Sequence, residues 1–163
     1  MQTAKDATAA VLDSGAFVAP FDEPGALAEL LDGLAPPGYF AVLGYLAPSG
    51  EFDAAVAELR TAVRDRTRAA TTFGYGPRYL HSTGQLHKGG PDGGRFLQLV
   101  HDGDEDLAIP GRDFTFGELK NAQATGDFNA LRAAGRPVAR LRLEGDPAAA
   151  LRALTAAATG FVY

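Results

Sequence analysis

The chain has 163 residues, of which 46% are hydrophobic, and its formal net charge at pH 7 is −5. This length suits one ordinary folded domain, so we expect residues 1–163 to form a single domain. The absence of cysteine excludes disulfides, thiolate metal sites and cysteine nucleophiles, and it favours a reducing cytoplasm. No apolar run approaches membrane-spanning length, and the charged residues Lys5, Asp6 and Asp13 argue against a secretory signal.

The first third of the chain predicts two helices followed by a buried strand. Residues 3–12 are rich in alanine and predict a short helix. A second helix is expected within residues 20–34, where Asp22 is a candidate N-cap and several leucines recur on one face. Residues 38–46 are almost continuously apolar, which is typical of a strand covered on both faces.

The next elements alternate between helix and strand. Residues 51–68 place their apolar side chains on one face of an amphipathic helix, and residues 69–74 form the following strand. Two strands joined in this way by a helix are expected to be parallel, with a right-handed crossover. Another strand is predicted at 95–101, followed by an acidic loop at 102–112.

The last third of the chain predicts helices around one more strand. Residues 114–134 predict two short helices broken near Gly126, with Asp127 capping the second. Residues 138–143 alternate, with Arg140 and Arg142 as the polar positions, and suit a strand nearer the sheet edge. A final helix begins near Asp146-Pro147. We therefore predict a three-layer α/β fold, with a mostly parallel sheet and helices on both faces.

The chain is organised around residues 71–90, TTFGYGPRYLHSTGQLHKGG, where a strand runs into a glycine-rich segment. Glycines let backbone N–H groups approach a bound anion closely, because no Cβ atoms stand in the way. The segment also contains two histidines, hydroxyl side chains and two cationic residues. We expect a ligand to bind here.

Part of this segment carries a family resemblance. Residues 74–98, GYGPRYLHSTGQLHKGGPDGGRFLQ, resemble the C-terminal part of the phosphoglucose isomerase half of bacterial bifunctional transaldolase/phosphoglucose isomerases. Three more blocks agree in order, at 37–46, 106–131 and 135–143. The resemblance implies the terminal subdomain of a sugar-phosphate isomerase, without the family's preceding domain and the glutamate base that it supplies.

The resemblance also implies which acid/base residues are kept. His81, within HSTGQ, aligns with the family's catalytic histidine, which is associated with opening the sugar ring. The family signature PFDQP appears here as PFDEP, so that Glu23 replaces glutamine, and Leu30 stands at the position counted for the catalytic lysine. Glu23 is thus a candidate for a replacement base. Its alternative is a solvated acid at a helix start, favoured by the helix dipole.

Hydroxyl and cationic side chains flank His81 and are candidates for holding an anion. Ser82, Thr83 and Gly84 suit a phosphate at a helix start, with charge added by a basic neighbour. The alternative is an ordinary N-cap at Ser82, with Gln85 completing a capping box. The candidate ligand-binding residues are Arg78, Ser82, Thr83, Gly84, Gln85 and Lys88.

The histidines have structural alternatives as well. His81 itself could be a buried residue with both ring nitrogens hydrogen-bonded, and for His87 we favour such a structural role. A metal site built from His81, His87 and His101 matches no compact ligand spacing. We therefore expect no metal and no cofactor.

Three functions remain open. The first is an enzyme acting on a phosphorylated sugar or related carbonyl compound; the second is a degenerate isomerase that binds without turnover; the third is a subunit completing a site on another chain. We expect a small anionic substrate, and either a homo-oligomer or a partner subunit, because an excised subdomain exposes an apolar face. The charges are spread along the chain, so nucleic acid is not an expected partner, and neither is a membrane.

Overall fold

The computed structural model describes residues 11–12 and 19–160. Four β-strands form one sheet in the order β2-β1-β3-β4, and every neighbouring pair is parallel. The strands are β1 (Tyr39–Tyr45), β2 (Ala70–Tyr75), β3 (Gly94–Val100) and β4 (Val138–Arg142). The helices are α1 (Ala26–Leu31), α2 (Gly50–Thr67), α3 (Thr83–Gly89), α4 (Phe116–Ala133) and α5 (Pro147–Thr159), with a 3₁₀ helix at Arg78–His81.

Helices cover both faces of this sheet, which confirms the predicted α/β architecture. Alternate residues of a strand point to opposite faces, so each inner strand supplies side chains to two cores. The face that we call the α2 face packs against α1, α2 and α5, and its core contains Phe40, Val42, Leu97, Leu59 and Leu151. The opposite face, the α4 face, is covered by α4, α3 and the 3₁₀ helix, and its core contains Leu43, Tyr45, Tyr79, Phe96 and Leu131.

Strand β2 lies at one edge of the sheet, where its outward backbone groups would otherwise face solvent. The Arg60 guanidinium, projecting from α2, donates to the Thr71 carbonyl over 3.1 Å and to the Thr71 hydroxyl over 3.2 Å. Strand β4 forms the other edge, as predicted for residues 138–143. None of the helices in the described ranges combines the length and apolar character needed to cross a bilayer.

Several helix ends follow the sequence signals. Ser49 caps α2 by accepting from the Phe52 amide over 3.1 Å, and Asp146 caps α5 by accepting from the Ala149 amide over 2.7 Å. Asp22, in contrast, is not the N-cap of α1, which begins after Gly25 without a side-chain cap. Asp22 instead accepts from the Arg140 amide over 2.8 Å. The helix predicted over 3–12 lies outside the described residues, apart from Val11 and Leu12, which are helical.

The break predicted near Gly126 is wrong, because α4 runs without interruption through this position. A glycine inside a helix costs only about 1 kcal/mol relative to alanine, and packing of α4 on the sheet overrides that preference. Asp127 does not cap a new helix either. Its carboxylate is used in tertiary contacts with Tyr79 and Lys88.

A capping box starts α4 and gives a first testable prediction. The Thr115 hydroxyl accepts from the Glu118 amide, and the Glu118 carboxylate accepts from the Thr115 amide. Thr115→Ala is expected to lower the free energy of unfolding by about 1 kcal/mol, because the first turn loses its side-chain acceptor. Urea unfolding would measure this loss. Thr115→Ser keeps the hydroxyl and should remain close to the parent; equal losses in both variants would contradict a capping role.

Candidate functional site

The segment predicted to bind a ligand begins at the carboxyl end of β2. The Gly76 amide still donates to the Gly44 carbonyl over 2.8 Å, so the chain leaves the sheet only after this residue. The 3₁₀ helix then ends at His81, and Ser82 joins it to α3 with φ −132° and ψ −94°. His81 and Ser82 therefore occupy the junction of two short helices on the α4 face.

His81 is exposed, and within residues 19–160 its side chain has no hydrogen-bond or aromatic partner. His81 is therefore not a buried histidine with both ring nitrogens hydrogen-bonded. Ser82 provides no side-chain cap to α3. The Gln85 side-chain Nε2 donates to the Leu80 carbonyl over 3.3 Å, and the side chain does not complete a capping box. Arg78, Ser82, Thr83 and Gln85 are exposed beside His81.

Gly84 differs from these residues because it is buried. A Cβ atom at this position would lie 3.2 Å from the Tyr79 carbonyl oxygen, closer than most real contacts. The glycine thus permits α3 to pack tightly against the 3₁₀ helix. This packing explains why a glycine stands at position 84, and no bound anion is needed to explain it.

Lys88 points away from the exposed residues around His81 and towards α4, on the α4 face. Its ammonium forms an ion pair with Asp127, whose side chain is only 1% exposed against 18% for Lys88. The Tyr79 hydroxyl donates to the same carboxylate, and it lies 3.2 Å from the Tyr45 hydroxyl. Burial, reinforced by the Asp127 charge, holds the pKa of both tyrosines well above the usual range, so both keep their protons.

His87 is buried, as we favoured from the sequence. Its Nδ1 lies 3.0 Å from the Tyr39 hydroxyl, and its ring packs edge-on against Phe96 at 5.0 Å between centroids. Burial lowers the pKa of His87; the Asp127 charge opposes this effect, and the Lys88 charge adds to it. The folded protein therefore disfavours the charged imidazole.

This lowered pKa predicts a pH dependence of stability. Below about pH 6.5 histidine is protonated in the unfolded chain, whereas His87 stays neutral in the folded protein until the pH reaches its lower pKa. Acidification through this range therefore favours unfolding. The free energy of unfolding should fall by up to about 1.4 kcal/mol per pH unit between 6.5 and the lower folded pKa. Denaturant unfolding at pH 5.5, 6.5 and 7.5 measures this slope. His87→Gln should flatten it, and an equally steep slope in that variant would rule His87 out as its source.

The structure does not bring Glu23 to His81. Glu23 is exposed beside Asp22, whose amide donates to the Arg140 carbonyl in β4 over 2.8 Å. His81 follows β2, and β2 and β4 are opposite edges of the sheet. Leu30 is 7% exposed and belongs to the core on the α2 face, so the position counted for the family's lysine faces away from His81.

A second polar cluster, not singled out in the sequence, lies where β3 and β4 end. Asp102 accepts from Asn121 over 3.0 Å, from Lys120 over 3.1 Å and from Arg142 over 2.9 Å. Burial acts to raise the pKa of Asp102, but the Asn121 and Lys120 hydrogen bonds and the Lys120 and Arg142 charges outweigh it, and the pKa is lowered.

This cluster borders a cavity of about 500 Å³ that His101, Gly145 and Asp146 also line. Parallel α/β sheets bind ligands at the carboxyl ends of their strands, and this rule would have drawn attention to His101 and Asp102 after β3. Within the described ranges, no group of three or more His, Cys, Asp or Glu side chains is arranged to hold a metal ion.

Comparison with known proteins bears on the fold. No protein-family model matches the chain, and no curated protein matches it. Among solved structures, the chain is similar to a hypothetical protein from Thermus thermophilus, with a TM-score of 0.61 and 21% sequence identity. The match covers 94% of this chain and 41% of that one, so the chain spans about two fifths of that protein. The likeness shows that the two proteins share an α/β fold.

Proposed function

We propose that this chain is a phosphoglucose isomerase-like protein that acts on a phosphorylated sugar or related carbonyl compound by acid/base chemistry, with His81 transferring the proton. The observation that supports this most is the exposed, unpartnered side chain of His81, within a segment that resembles the family's catalytic histidine region. Exposure leaves both ring nitrogens of His81 free to meet a bound molecule. An acid/base group has to reach its substrate.

Imidazole suits the proposed step because it gives and accepts protons near neutral pH. Opening a sugar ring requires a proton on the ring oxygen and loss of one from the anomeric hydroxyl. A single imidazole placed between these two oxygens can carry out both transfers in succession. His81 is the proposed group for this step, and Arg78 is the cation proposed to attract the phosphate.

The hydroxyls of Ser82 and Thr83 complete the proposed anion site, since both are exposed next to His81. Lys88 is committed to Asp127, which leaves Arg78 as the cation of this segment that has no carboxylate partner among the described residues. Isomerisation also needs a base for the substrate carbon, and Glu23 does not lie where it could act together with His81. The missing base is proposed to come from a second copy or a partner subunit, in the cytoplasm.

The alternative is a binding module that keeps the anion site without turnover. It is favoured by the same missing base, and one set of measurements separates the two functions. Fructose 6-phosphate would be titrated into the isotope-labelled protein while the His81 ring and Ser82 amide NMR signals are followed. Isomerisation of glucose 6-phosphate would be assayed in the same samples.

Saturable shifts of the His81 ring and Ser82 amide signals, with the Ser82 shifts weakened in His81→Asn and both sets kept in His101→Asn, would support binding at this site. Binding with isomerisation, in this chain or after a second subunit is added, supports the enzyme. Binding without isomerisation in either case supports the module. If titration leaves the His81 and Ser82 signals unchanged, both functions at this segment are wrong.

A further inference from the structure

One buried carboxylate holds the chain on both sides of His81. The Tyr79 hydroxyl, two residues before His81, donates to Asp127, and the Lys88 ammonium, seven residues after it, forms an ion pair with the same side chain. Asp127 belongs to α4, which packs on the sheet. The two short helices that meet at Ser82 are therefore tied to a single point on a long helix.

Burial makes these contacts strong and specific. Asp127 is 3% exposed, so its charge depends on these partners and has little access to water. Tyr79 is buried as well, and it packs so closely on β2 that a Cβ atom at Gly74 would lie 2.9 Å from the Tyr79 Cβ. The Tyr45 hydroxyl approaches Tyr79 from β1. The Tyr79 ring is thus enclosed by the sheet, and its hydroxyl is held by the Asp127 carboxylate.

The last turn of α3, which contains Lys88, is held by a second cation. The Arg136 guanidinium donates to the Gly90 carbonyl over 2.5 Å and to the Asp92 carboxylate over 2.6 Å. A cation at the end of a helix satisfies carbonyls that have no partner within the helix. The last turn of α3 is thus attached through both Lys88 and Arg136, while Tyr79 attaches the 3₁₀ helix on the other side of the His81–Ser82 junction.

We propose that Asp127 is a positioning residue for His81. Its carboxylate does not touch the ligand; it acts through Tyr79 and Lys88, joining the 3₁₀ helix to α3 and so setting the direction in which the His81 ring and the Ser82 hydroxyl meet the ligand. This inference rests on the function proposed for His81. It adds that the site is built partly from a residue in α4, remote from it in sequence.

The experiment compares Asp127→Asn with the parent and with Glu58→Gln. The asparagine keeps the size of the side chain and an oxygen for Tyr79, but it removes the charge that holds Lys88. Glu58→Gln removes a carboxylate that pairs with Arg152 over 2.8 Å on the other side of the sheet, and it serves as the matched control for loss of an ion pair. Tyr79→Phe breaks the other link to Asp127 and replaces Asp127→Asn if that variant does not fold.

Two readouts are needed. In the free protein, the His81 ring and Ser82 amide NMR signals should shift or broaden in Asp127→Asn, while those of His101 stay in place. In the titration, the affinity for fructose 6-phosphate should fall about tenfold, which corresponds to about 1.4 kcal/mol. Glu58→Gln should change neither readout, whatever it does to stability.

The outcomes separate this inference from the proposed function. Lower stability with unchanged His81 and Ser82 signals and unchanged affinity would overturn the positioning role and leave Asp127 as a purely structural residue. If the parent protein binds no sugar phosphate, the proposed function fails. The free-protein signals then still decide whether Asp127 positions His81.

Discussion

Replacing Lys88 with methionine is expected to lower the free energy of unfolding by about 3–5 kcal/mol, because the buried Asp127 carboxylate then loses its cationic partner. Methionine has a similar length, so little packing is lost with the charge. Tyr79 would remain as the hydrogen-bond donor to Asp127, but a neutral hydroxyl does not replace the ammonium. Chemical denaturation with a two-state fit would measure the change.

The double variant Lys88→Met with Asp127→Leu should lose less stability than Lys88→Met alone, since no charge is then buried without a partner. Arg78→Gln is the control on the exposed side of the segment, and its stability should stay within about 0.5 kcal/mol of the parent. If Lys88 were instead a free ligand-binding group, Lys88→Met would leave stability unchanged and weaken sugar-phosphate binding.

Gly76→Ala is expected to be strongly disruptive. A Cβ atom at this position would lie 2.4 Å from two ring carbons of Tyr45. That ring is fully buried and in contact with Tyr79, so it cannot move aside without displacing the start of the 3₁₀ helix. Forcing an extra methyl into such a site costs about 1–3 kcal/mol or more, measurable as a lower thermal midpoint.

Gly89→Ala is the matched control for Gly76→Ala. No atom lies within 4 Å of a Cβ at Gly89, and alanine favours a helix over glycine by roughly 0.5–1 kcal/mol. This variant should therefore be as stable as the parent or slightly more stable. Equal destabilisation by both substitutions would mean that lost backbone flexibility, and not the clash with Tyr45, is responsible.

Elements with a strong local pattern were predictable from sequence. The apolar run at 38–46 became the buried inner strand β1, and the amphipathic stretch at 51–68 became α2. Strand burial and helix periodicity depend mainly on residues close in the chain, and the parallel pairing follows from the strand–helix–strand order. The α/β class was therefore predictable before any tertiary contact was known.

Contacts between distant residues were not predictable. Arg140 alternates with apolar neighbours, as a solvent-facing residue of an edge strand would, yet it is 0% exposed. Phe21 and Phe128 cover it, with its guanidinium 4.8 Å and 5.7 Å from their ring centres. Burial lowers the Arg140 pKa to about 10. Arg140 is buried only because α4 and the segment before α1 pack over it.

The candidate site divides in the same way. Exposed groups close together in the chain, from His81 to Gln85, could be named in advance because they share one short turn. Lys88 belongs to the same stretch, but its partner Asp127 lies in α4, and no local pattern indicates that pair. Sequence proximity therefore named the exposed residues of the candidate site and missed the carboxylate beneath them.

The Arg60 contact with β2 affects how copies of this protein could meet. An open strand edge offers unpaired carbonyls and amides to any other extended chain, and this is a common route to sheet extension and aggregation. At Thr71 the carbonyl is already taken by a guanidinium from the same molecule. An incoming strand would have to displace that contact before pairing there. Association of copies by pairing of their β2 strands at Thr71 is therefore disfavoured.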